Sequence, residues 1–456
     1  MDIRPKGVII VMKGFKKKLA AIICAAVIAL TATGCGTDIN SGPLKKSDNS
    51  AYSSMVNSSS SQSDNTSSVS DTSEPDDSKP GDDTSLPDTS DPQTEPGSSE
   101  DPTPDKEPSN KVSLLCVGDN LIHDNIYLEA EKKSGQKGKY DFTDAYKPIE
   151  SYIKGNDLAI VNQETLVSDV SAPRSYPTFV SPEALGEKVK SLGFNAVSMC
   201  NNHVLDAGEE GLQDSLKFWD SIGMLHYGAY ADQADCDNIK TMEINGIKFA
   251  FVGYMEYTNG ITLPAGSKGV VIRFNEEEKI KAQVQKADKM ADVVIVSCHF
   301  GTEQQNELNS VQKYFAPKLV EWGADLIIGT QAHAISTSEY INKPDGTKAF
   351  CFYGLGNFIN TMDAKESVIG LMGKLNVIKD KDTGKISFEN IKIIPVVSHF
   401  EGTSWEGEWT NCTIYPYAKY TDELFAKNYV YKHGFNRAYV DKCLATYVPK
   451  EFLSIE

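Results

Sequence analysis

The sequence predicts an α/β fold from about residue 111 onward in a chain of 456 residues. Three observations support this. Short apolar runs typical of buried strands recur along the chain, polar loops follow them directly, and helical patterns come next. Repetition of strand, polar loop and helix is typical of domains in which helices cover a sheet.

The individual elements follow from hydrophobic periodicity. Seven apolar runs are predicted as strands: 112–117, 157–161, 196–199, 248–253, 293–297, 326–328 and 348–353. Six segments have helical patterns: 182–192, 209–222, 275–290, 311–322, 422–429 and 436–445.

Polar residues of metal-ligand type follow five of these predicted strands. They are Asp119, Glu164, Asn202, His299 and His333. Strands of one sheet share an edge where they end, so residues distant in sequence can meet there. Two carboxylates, two imidazoles and an amide form a mixed nitrogen and oxygen set, which suits Mn, Fe, Zn or Mg. We therefore expect a site for one or two divalent ions.

The loop after the run 196–199 carries the most concentrated chemistry. It contains Asn201, Asn202 and His203, with Asp206 just before a predicted helix. Asp206 has the position of a helix N-cap, and Glu209 would complete a capping box. Capping does not account for the Asn-Asn-His run. We expect His203 to protonate a leaving oxygen and assign His203 and Asp206 as the catalytic residues.

The amino-terminal segment is predicted to direct export. Residues 1–35 combine a lysine-rich start with a short apolar run, which is typical of a signal peptide. The run ends at Ala32-Thr33-Gly34-Cys35, which resembles a lipobox, so Cys35 is the predicted lipidation site. Ala32 stands where Leu is usual, which leaves plain cleavage or an uncleaved anchor open. The expected location is the extracellular face of the cell membrane.

Residues 36–110 are predicted to form a disordered linker. The segment is rich in Ser, Thr, Asp, Pro and Gly and has 16 acidic residues against four lysines. Such a composition buries too little apolar surface to offset the entropy of ordering. We expect it to hold the following domain away from the membrane.

Charge and cysteine content argue against a nucleic-acid-binding protein and against a protein built on disulfides. The net charge is -18 and no basic stripe is present, so a nucleic-acid partner is not expected. The cysteines after residue 35 have no paired spacing and several lie in apolar runs, so no essential disulfide is expected. A Cys412–Cys443 pair stays open.

These motifs together resemble the CapA family of capsule synthesis proteins, the membrane-anchored component of poly-γ-glutamate production. The resemblance covers about residues 111–360 and is carried by six segments in family order: 117–119, 161–164, 201–208, 299–303, 329–333 and 353–358. That family is similar to calcineurin-like metallophosphoesterases. The resemblance implies a β-sandwich flanked by helices, an anionic extracellular polymer as partner, and a membrane synthase complex.

The resemblance also implies roles for single residues. Asp119 resembles the first metal aspartate, Glu164 stands where a bridging carboxylate is usual, and Asn202 resembles the amide ligand. His203 resembles the catalytic histidine, and His299 and His333 the late ligands. The predicted substrate-binding residues are Asn201, Glu303, Gln331 and Asn357. Gln331 and Ala332 replace the His-Pro of the usual late motif, so the resemblance implies one ion or two.

The last predicted boundary falls near residue 365. Residues 111–365 form the predicted CapA-like domain, and residues 366–456 a carboxyl-terminal extension packed on it. Five aromatic residues are crowded in this extension: Trp405, Trp409, Tyr415, Tyr417 and Tyr420. Packing over the sheet is favoured for them over a polymer-facing surface, since aromatic residues dominate cores.

Three functions are consistent with these predictions. The first is a surface lipoprotein for poly-γ-glutamate synthesis or export with a divalent-metal site. The second is a metal-dependent phosphoesterase of the cell envelope. The third is a non-catalytic scaffold for membrane synthases. The first is preferred because of the family resemblance.

Overall fold

The computed structural model describes residues 110–404 and 408–456. The predicted signal peptide with Cys35, the predicted linker up to residue 109, and Trp405 lie outside these ranges. Within them, no helix has both the length and the apolar character needed to cross a bilayer.

The described ranges contain eighteen strands. In chain order, β1 to β18 are Lys111–Asn120, Leu158–Asn162, Leu166–Val167, Val180–Ser181, Ala196–Ser198, Leu225–Tyr227, Ala229–Tyr230, Lys240–Ile244, Ile247–Met255, Val270–Val271, Val293–Phe300, Leu326–Gln331, Ser338–Asn342, Lys348–Phe352, Asn357–Ile359, Ile369–Lys379, Ile386–Glu401 and Thr410–Pro416.

The same ranges contain ten α-helices. In chain order, α1 to α10 are Asp124–Ser134, Thr143–Tyr146, Glu150–Ile153, Glu183–Ser191, Gly208–Ser221, Gln233–Asp237, Glu277–Asp288, Ser310–Glu321, Asp422–Lys427 and Arg437–Tyr447. Two 3₁₀ helices cover Tyr417–Lys419 and Tyr429–His433. Every predicted strand and helix of the domain overlaps an observed element of the same type.

Two large mixed sheets form the framework. The larger has the order β18-β17-β16-β1-β2-β5-β6, with β15 pairing β1, and the smaller has the order β13-β14-β12-β11-β9-β8. Strands β1, β2, β5 and β6 run parallel, as do β9, β11, β12 and β14. The parallel strands of each sheet therefore end at a common edge.

Alternation along the strands explains how the layers pack. In β9, Phe249 and Phe251 join the core that also holds β1 and β16, whereas Ala250 and Val252 join a second cluster with side chains of α7 and α8. Successive strand residues point to opposite faces, so one face meets the other sheet and one meets helices. The predicted α/β class and helix-flanked sandwich are confirmed.

Aspartates at the starts of three parallel strands pair with the neighbouring strand. Asp157 Oδ2 accepts a hydrogen bond from the Ser113 backbone N–H at 2.8 Å. Asp292 Oδ2 accepts from Lys248 N at 2.9 Å, and Asp325 Oδ2 from Val294 N at 2.8 Å. These carboxylates satisfy backbone donors at the amino ends of the strands, opposite the predicted site.

Residues 366–456, predicted as a carboxyl-terminal extension, contribute to the larger sheet. They supply β16, β17 and β18, and β16 pairs antiparallel with β1 from Lys111 to Val117.

Four of the five crowded aromatic residues of this region pack into or against the core. Trp409, Tyr417 and Tyr420 belong to the main core, and Tyr415 packs against it. The favoured prediction of packing is confirmed for these four. Cys412 and Cys443 are both free and buried.

Candidate metal centre

The five predicted ligands converge where the parallel strands of both sheets end. Asp119 is the penultimate residue of β1, and His299 the penultimate residue of β11. Glu164, Asn202 and His333 lie a few residues beyond β2, β5 and β12. All five side chains are buried.

The distances between their ligand atoms suit a shared ion. Glu164 Oε1 lies 3.5 Å from His299 Nε2 and 3.7 Å from His333 Nε2. Asn202 Oδ1 lies 3.0 Å from His299 Nε2, and Asp119 Oδ2 lies beside the His333 ring, 3.3 Å from Nδ1, the nitrogen that does not face Glu164. Ligands about 2.1 Å from one ion are roughly 3.0–3.4 Å apart in tetrahedral or octahedral geometry. The structure therefore brings the five predicted ligands close together.

Glu164 is the strongest sign of a cation. Its side chain is fully buried, and among the residues that the structure describes neither carboxylate oxygen has a hydrogen-bond partner. Burying an unpaired charge is costly, and native proteins normally pair such groups or use them to coordinate metal. Asp119, Glu164 and His333 offer ligand atoms that all lie within 4.8 Å of one another. The residues present fit a divalent ion.

Neighbouring side chains orient the two histidines. Asn357 Nδ2 donates to the Ser367 carbonyl, so its Oδ1 accepts from His333 Nδ1 at 2.9 Å. This leaves His333 Nε2 directed toward Glu164. His299 Nδ1 lies 2.8 Å from the Thr330 hydroxyl. Hydrogen bonds of this kind fix the ring orientation and tautomer of metal-binding histidines.

The buried carboxylates of the cluster favour positive charge on the groups beside them. Burial alone lowers the pKa of His333, but the charges of Glu164 and Asp119 outweigh burial and raise this pKa to about 10. Burial raises the pKa of Asp119, but the hydrogen bond with His333 and the charge of His299 hold this pKa below its ordinary value. A cation is thus favoured among these side chains.

His203 and Asp206 form a hydrogen-bonded pair beside the cluster. Asp206 Oδ2 accepts from His203 Nδ1 at 2.7 Å and from the Phe179 backbone N–H at 2.5 Å. The pair leaves His203 Nε2 as the nitrogen for proton transfer. Phe179 also packs its ring edge-to-face on His203, with centroids 4.7 Å apart.

The prediction that Asp206 caps the following helix is wrong. Helix α5 begins after Ala207, which makes no side-chain capping bond, and Glu209 accepts from Lys268 N and Gly269 N instead. The Asp206 carboxylate is occupied by His203 and Phe179. It therefore supports the histidine and not the helix.

Of the four predicted substrate-binding residues, three are buried and one is exposed. Asn201, Gln331 and Asn357 are buried. Asn201 shapes its loop, accepting from His203 N and donating to the Gln163 carbonyl. Gln331 donates to Glu303, which is exposed.

Three further residues belong to the site but were not assigned from the sequence. Asn162 Nδ2 donates to Asp119 Oδ1 at 2.6 Å, and Asn259 Oδ1 accepts from Asn202 at 3.2 Å. His123 packs edge-to-face on Phe179. Asn162 is the last residue of β2, so its position at a strand end could have identified it from the sequence. Asn259 lies in a loop with no such pattern.

Two glycines allow the site's backbone to close. A Cβ on Gly118 would lie 1.9 Å from the Gly356 carbonyl oxygen, and one on Gly329 would lie 2.2 Å from that of Tyr353. The close approach lets Asp119 N donate to Gly356 O and sets Asp119 beside Asn357. Only glycine fits where two backbones come this close.

The fold and the site define a two-sheet α/β protein with a buried carboxylate–histidine centre suited to a divalent metal. Residues 113–362 match the model of the family described as bacterial capsule synthesis protein PGA_cap. This match spans more than half of the chain, which belongs to that family. The predicted family membership is confirmed.

Two curated relatives are similar to this chain. One is a capsule biosynthesis protein CapA of Bacillus anthracis, 25% identical over 55% of this chain and 60% of its own length. The other is a PGA biosynthesis protein CapA of Bacillus subtilis, 27% identical over 54% of this chain and 63% of its own length. The matched region thus covers less than two thirds of the length of each relative.

Two solved structures also resemble the fold. An NAD nucleotidase of Haemophilus influenzae is 14% identical, with a TM-score of 0.38 over 74% of this chain and 59% of its own. A phosphatase from Mycoplasma pneumoniae is 16% identical, with a TM-score of 0.36 over 63% of this chain and 94% of its own. Both likenesses are distant.

Proposed function

We propose that this protein serves the synthesis or export of poly-γ-glutamate, the capsule polymer, through a divalent-metal centre at the outer face of the cell membrane. Family membership and the CapA relatives support the capsule role. The observation that carries the metal centre is Glu164, which is fully buried beside two histidines. Neither of its oxygens has a hydrogen-bond partner in the described part of the chain.

The residues that would hold the ion are Asp119, Glu164, Asn202, His299 and His333. A bound divalent ion supplies positive charge for anionic oxygens and lowers the pKa of a coordinated water. That charge matters because both the polymer and this protein are acidic. The proposed metals are Mn, Fe, Zn or Mg, as one ion or two, since Glu164 Oε1 faces both histidines.

His203 and Asp206 provide proton transfer in this proposal. Asp206 accepts from Nδ1 and orients the ring, so a proton on Nε2 is directed away from the pair. A histidine held this way can donate to a leaving oxygen or nitrogen. Asn259 Nδ2 lies 3.5 Å from His203 Nε2 and limits rotation of the ring.

The proposed setting follows from the amino-terminal sequence. A lipid on Cys35 would anchor the chain, and the linker to residue 110 would let the domain reach the polymer and a membrane synthase complex. Substitution of Cys35→Ser should move the protein from the membrane fraction to the medium or the soluble envelope fraction. Unchanged membrane association would contradict a lipid anchor at this residue.

The decisive experiment is genetic complementation. A strain lacking this gene should lose surface poly-γ-glutamate and regain it with the wild-type gene. Glu164→Gln should fail to restore the polymer at equal protein level, whereas His433→Ala, a change of an exposed histidine, should restore it. Unchanged polymer in the deletion strain would overturn the capsule role.

A metal-dependent phosphoesterase is the second candidate, favoured by the His203–Asp206 pair beside the cluster. Here His203→Ala should retain bound metal and lose turnover of p-nitrophenyl phosphate or a phosphodiester, with His433→Ala as control. No turnover by the wild-type chain with Mn²⁺, Zn²⁺ or Mg²⁺ would remove this candidate. With bound metal absent as well, a scaffold for synthases would be left.

A further inference from the structure

Glu303 is a fixed carboxylate at the mouth of the candidate metal centre. Its Oε1 accepts hydrogen bonds from the Tyr257 hydroxyl and from Gln331 Nε2, each at 3.2 Å. Gln331 Nε2 also donates to the Tyr257 hydroxyl at 2.7 Å, which closes a three-membered ring of side chains. The carboxylate is therefore held in one place although the residue is exposed.

The same ring is tied directly to the metal cluster. The Gln331 backbone N–H donates to Asp119 Oδ2 at 3.2 Å, so one residue links the mouth to a predicted ligand. Gln331 adopts a φ of 91°, a left-handed conformation that few non-glycine residues occupy. Conformations of this kind persist where surrounding contacts over-determine them, often at functional sites. The position of Glu303 relative to the centre is thus set by the backbone.

No lysine or arginine in the described ranges forms an ion pair with Glu303. Glu303 Oε2 has no hydrogen-bond partner there, and Tyr257, whose hydroxyl contacts Oε1, is 37% exposed. A carboxylate without an ion-pair partner attracts a cationic group. It repels dianions such as phosphate, which would otherwise be the natural ligands of a divalent centre.

Glu303 is not a further member of the metal cluster itself. The group of ligand atoms close enough to share an ion consists of Asp119, Glu164 and His333. Both side-chain hydrogens of the Gln331 amide are directed to Tyr257 and Glu303, so Glu303 Oε1 is occupied by donors of the protein. Oε2 is therefore the carboxylate oxygen left for a cationic group of a ligand.

We propose that Glu303, held by Tyr257 and Gln331, is an ammonium subsite next to the metal centre. The centre then takes ligands with an anionic carboxylate for the ion and a cationic amino group for Glu303. This is the chemistry of an α-amino acid or of the amino end of a polyamino acid. The inference rests on the proposed metal centre and names the class of ligand that the centre selects.

The test compares a ligand that has a charged amino group with the same ligand acetylated at that group, which removes the charge. Glutamate and N-acetylglutamate are titrated calorimetrically into the Mn²⁺-loaded full-length protein. We expect glutamate to bind about 10-fold more tightly, because a charge-assisted hydrogen bond contributes at least that factor. Inorganic phosphate should bind more weakly than glutamate.

Glu303→Gln should abolish the preference for glutamate and strengthen phosphate binding while leaving Mn²⁺ content unchanged. Glu307→Gln is the matched control, since Glu307 lies in the same loop but accepts from the Tyr447 hydroxyl at 2.9 Å. The control should keep the preference.

Equal affinity of the wild-type protein for the two ligands, no glutamate binding, or a preference that survives in Glu303→Gln would each overturn the ammonium subsite. These results leave the metal centre intact if Mn²⁺ is bound. Absence of bound Mn²⁺ in the wild-type chain would instead overturn the proposed metal centre, and the subsite with it.

Discussion

Glu164 and Asp325 are both buried carboxylates at the ends of parallel strands, but their surroundings are opposite. Asp325, just before β12, accepts from Val294 N and from the ammonium of Lys343. Glu164, two residues beyond β2, has no hydrogen-bond donor at either oxygen within the described ranges. The aspartates at the amino ends of the strands are thus satisfied by the protein, whereas Glu164 at the carboxyl end of β2 is not.

This difference separates a structural carboxylate from a ligand. A buried acid whose oxygens are satisfied by the protein contributes to folding, whereas one without donors lowers stability until a cation binds. Residue type alone does not distinguish the two, since both are acidic residues near an apolar run. The hydrogen bonds to their carboxylate oxygens do distinguish them.

The largest expected effect is loss of metal at Glu164. Glu164→Gln should weaken Mn²⁺ binding by about 1,000-fold, beyond the 10–100-fold typical of residues that only support ligands. The amide removes a buried charge, so the metal-free protein should be no less stable than wild type. Isothermal titration and urea unfolding in chelator measure the two quantities. Unchanged Mn²⁺ affinity would contradict the assignment of Glu164.

The next effect comes from Gly118, which lets the ligand-bearing edge close. Gly118→Ala places a Cβ against the Gly356 carbonyl and should lower the free energy of unfolding by about 3 kcal/mol. Because Asp119 must shift with its neighbour, Mn²⁺ affinity should fall as well. A variant with wild-type stability and affinity would show that this approach is not required.

Asp325 should behave in the opposite way to Glu164. Asp325→Asn leaves Lys343 without its charge partner and should lower the free energy of unfolding by about 2 kcal/mol. Mn²⁺ affinity should stay within about 2-fold of wild type, because Asp325 lies at the other end of the strand. Loss of Mn²⁺ binding without loss of stability would show that Asp325, and not only Glu164, supports the metal centre, and would contradict this contrast.

The smallest expected effect is on the pH dependence of stability and comes from His399, a buried histidine that is neither a predicted ligand nor a structural carboxylate. Its Nδ1 lies 2.6 Å from the Tyr420 hydroxyl and its Nε2 lies 3.2 Å from Glu401 Oε1. Burial lowers the pKa of His399 below its ordinary 6.5, and the hydrogen bond with Glu401 offsets part of that shift. The folded protein therefore takes up this proton at lower pH than the unfolded chain.

The consequence is a loss of stability in acid. As pH falls below about 6.5, the unfolded chain binds the His399 proton first, so the free energy of unfolding decreases by up to about 1.4 kcal/mol per pH unit. His399→Gln should flatten this dependence between pH 6.5 and 5 in thermal or urea unfolding. A slope equal to that of wild type would refute the contribution.

Much of the fold and site could be predicted because strand ends are visible in sequence. Apolar runs followed by Asp119, Glu164, Asn202, His299 and His333 fixed both the element type and the shared edge. Parallel strands bring such residues together whatever their separation in the chain.

Side-chain direction beyond a strand end could not be predicted. Asp206 and Asn357 have sequence neighbours that suit a helix cap and a substrate contact, yet tertiary partners hold them on His203 and His333. The sequence predicts residues 366–456 as an extension, because the pairing of β16 with β1 leaves no local signal in the sequence. Such pairings depend on contacts between distant segments.

The most direct test is the order of stability of wild type and Glu164→Gln with and without metal. In chelator, Glu164→Gln should be at least as stable as wild type. With Mn²⁺ at about 100 times its dissociation constant for wild type, wild type should gain about 2.7 kcal/mol and become the more stable of the two. The same order in both conditions, or no gain by wild type, would contradict a metal centre built on Glu164.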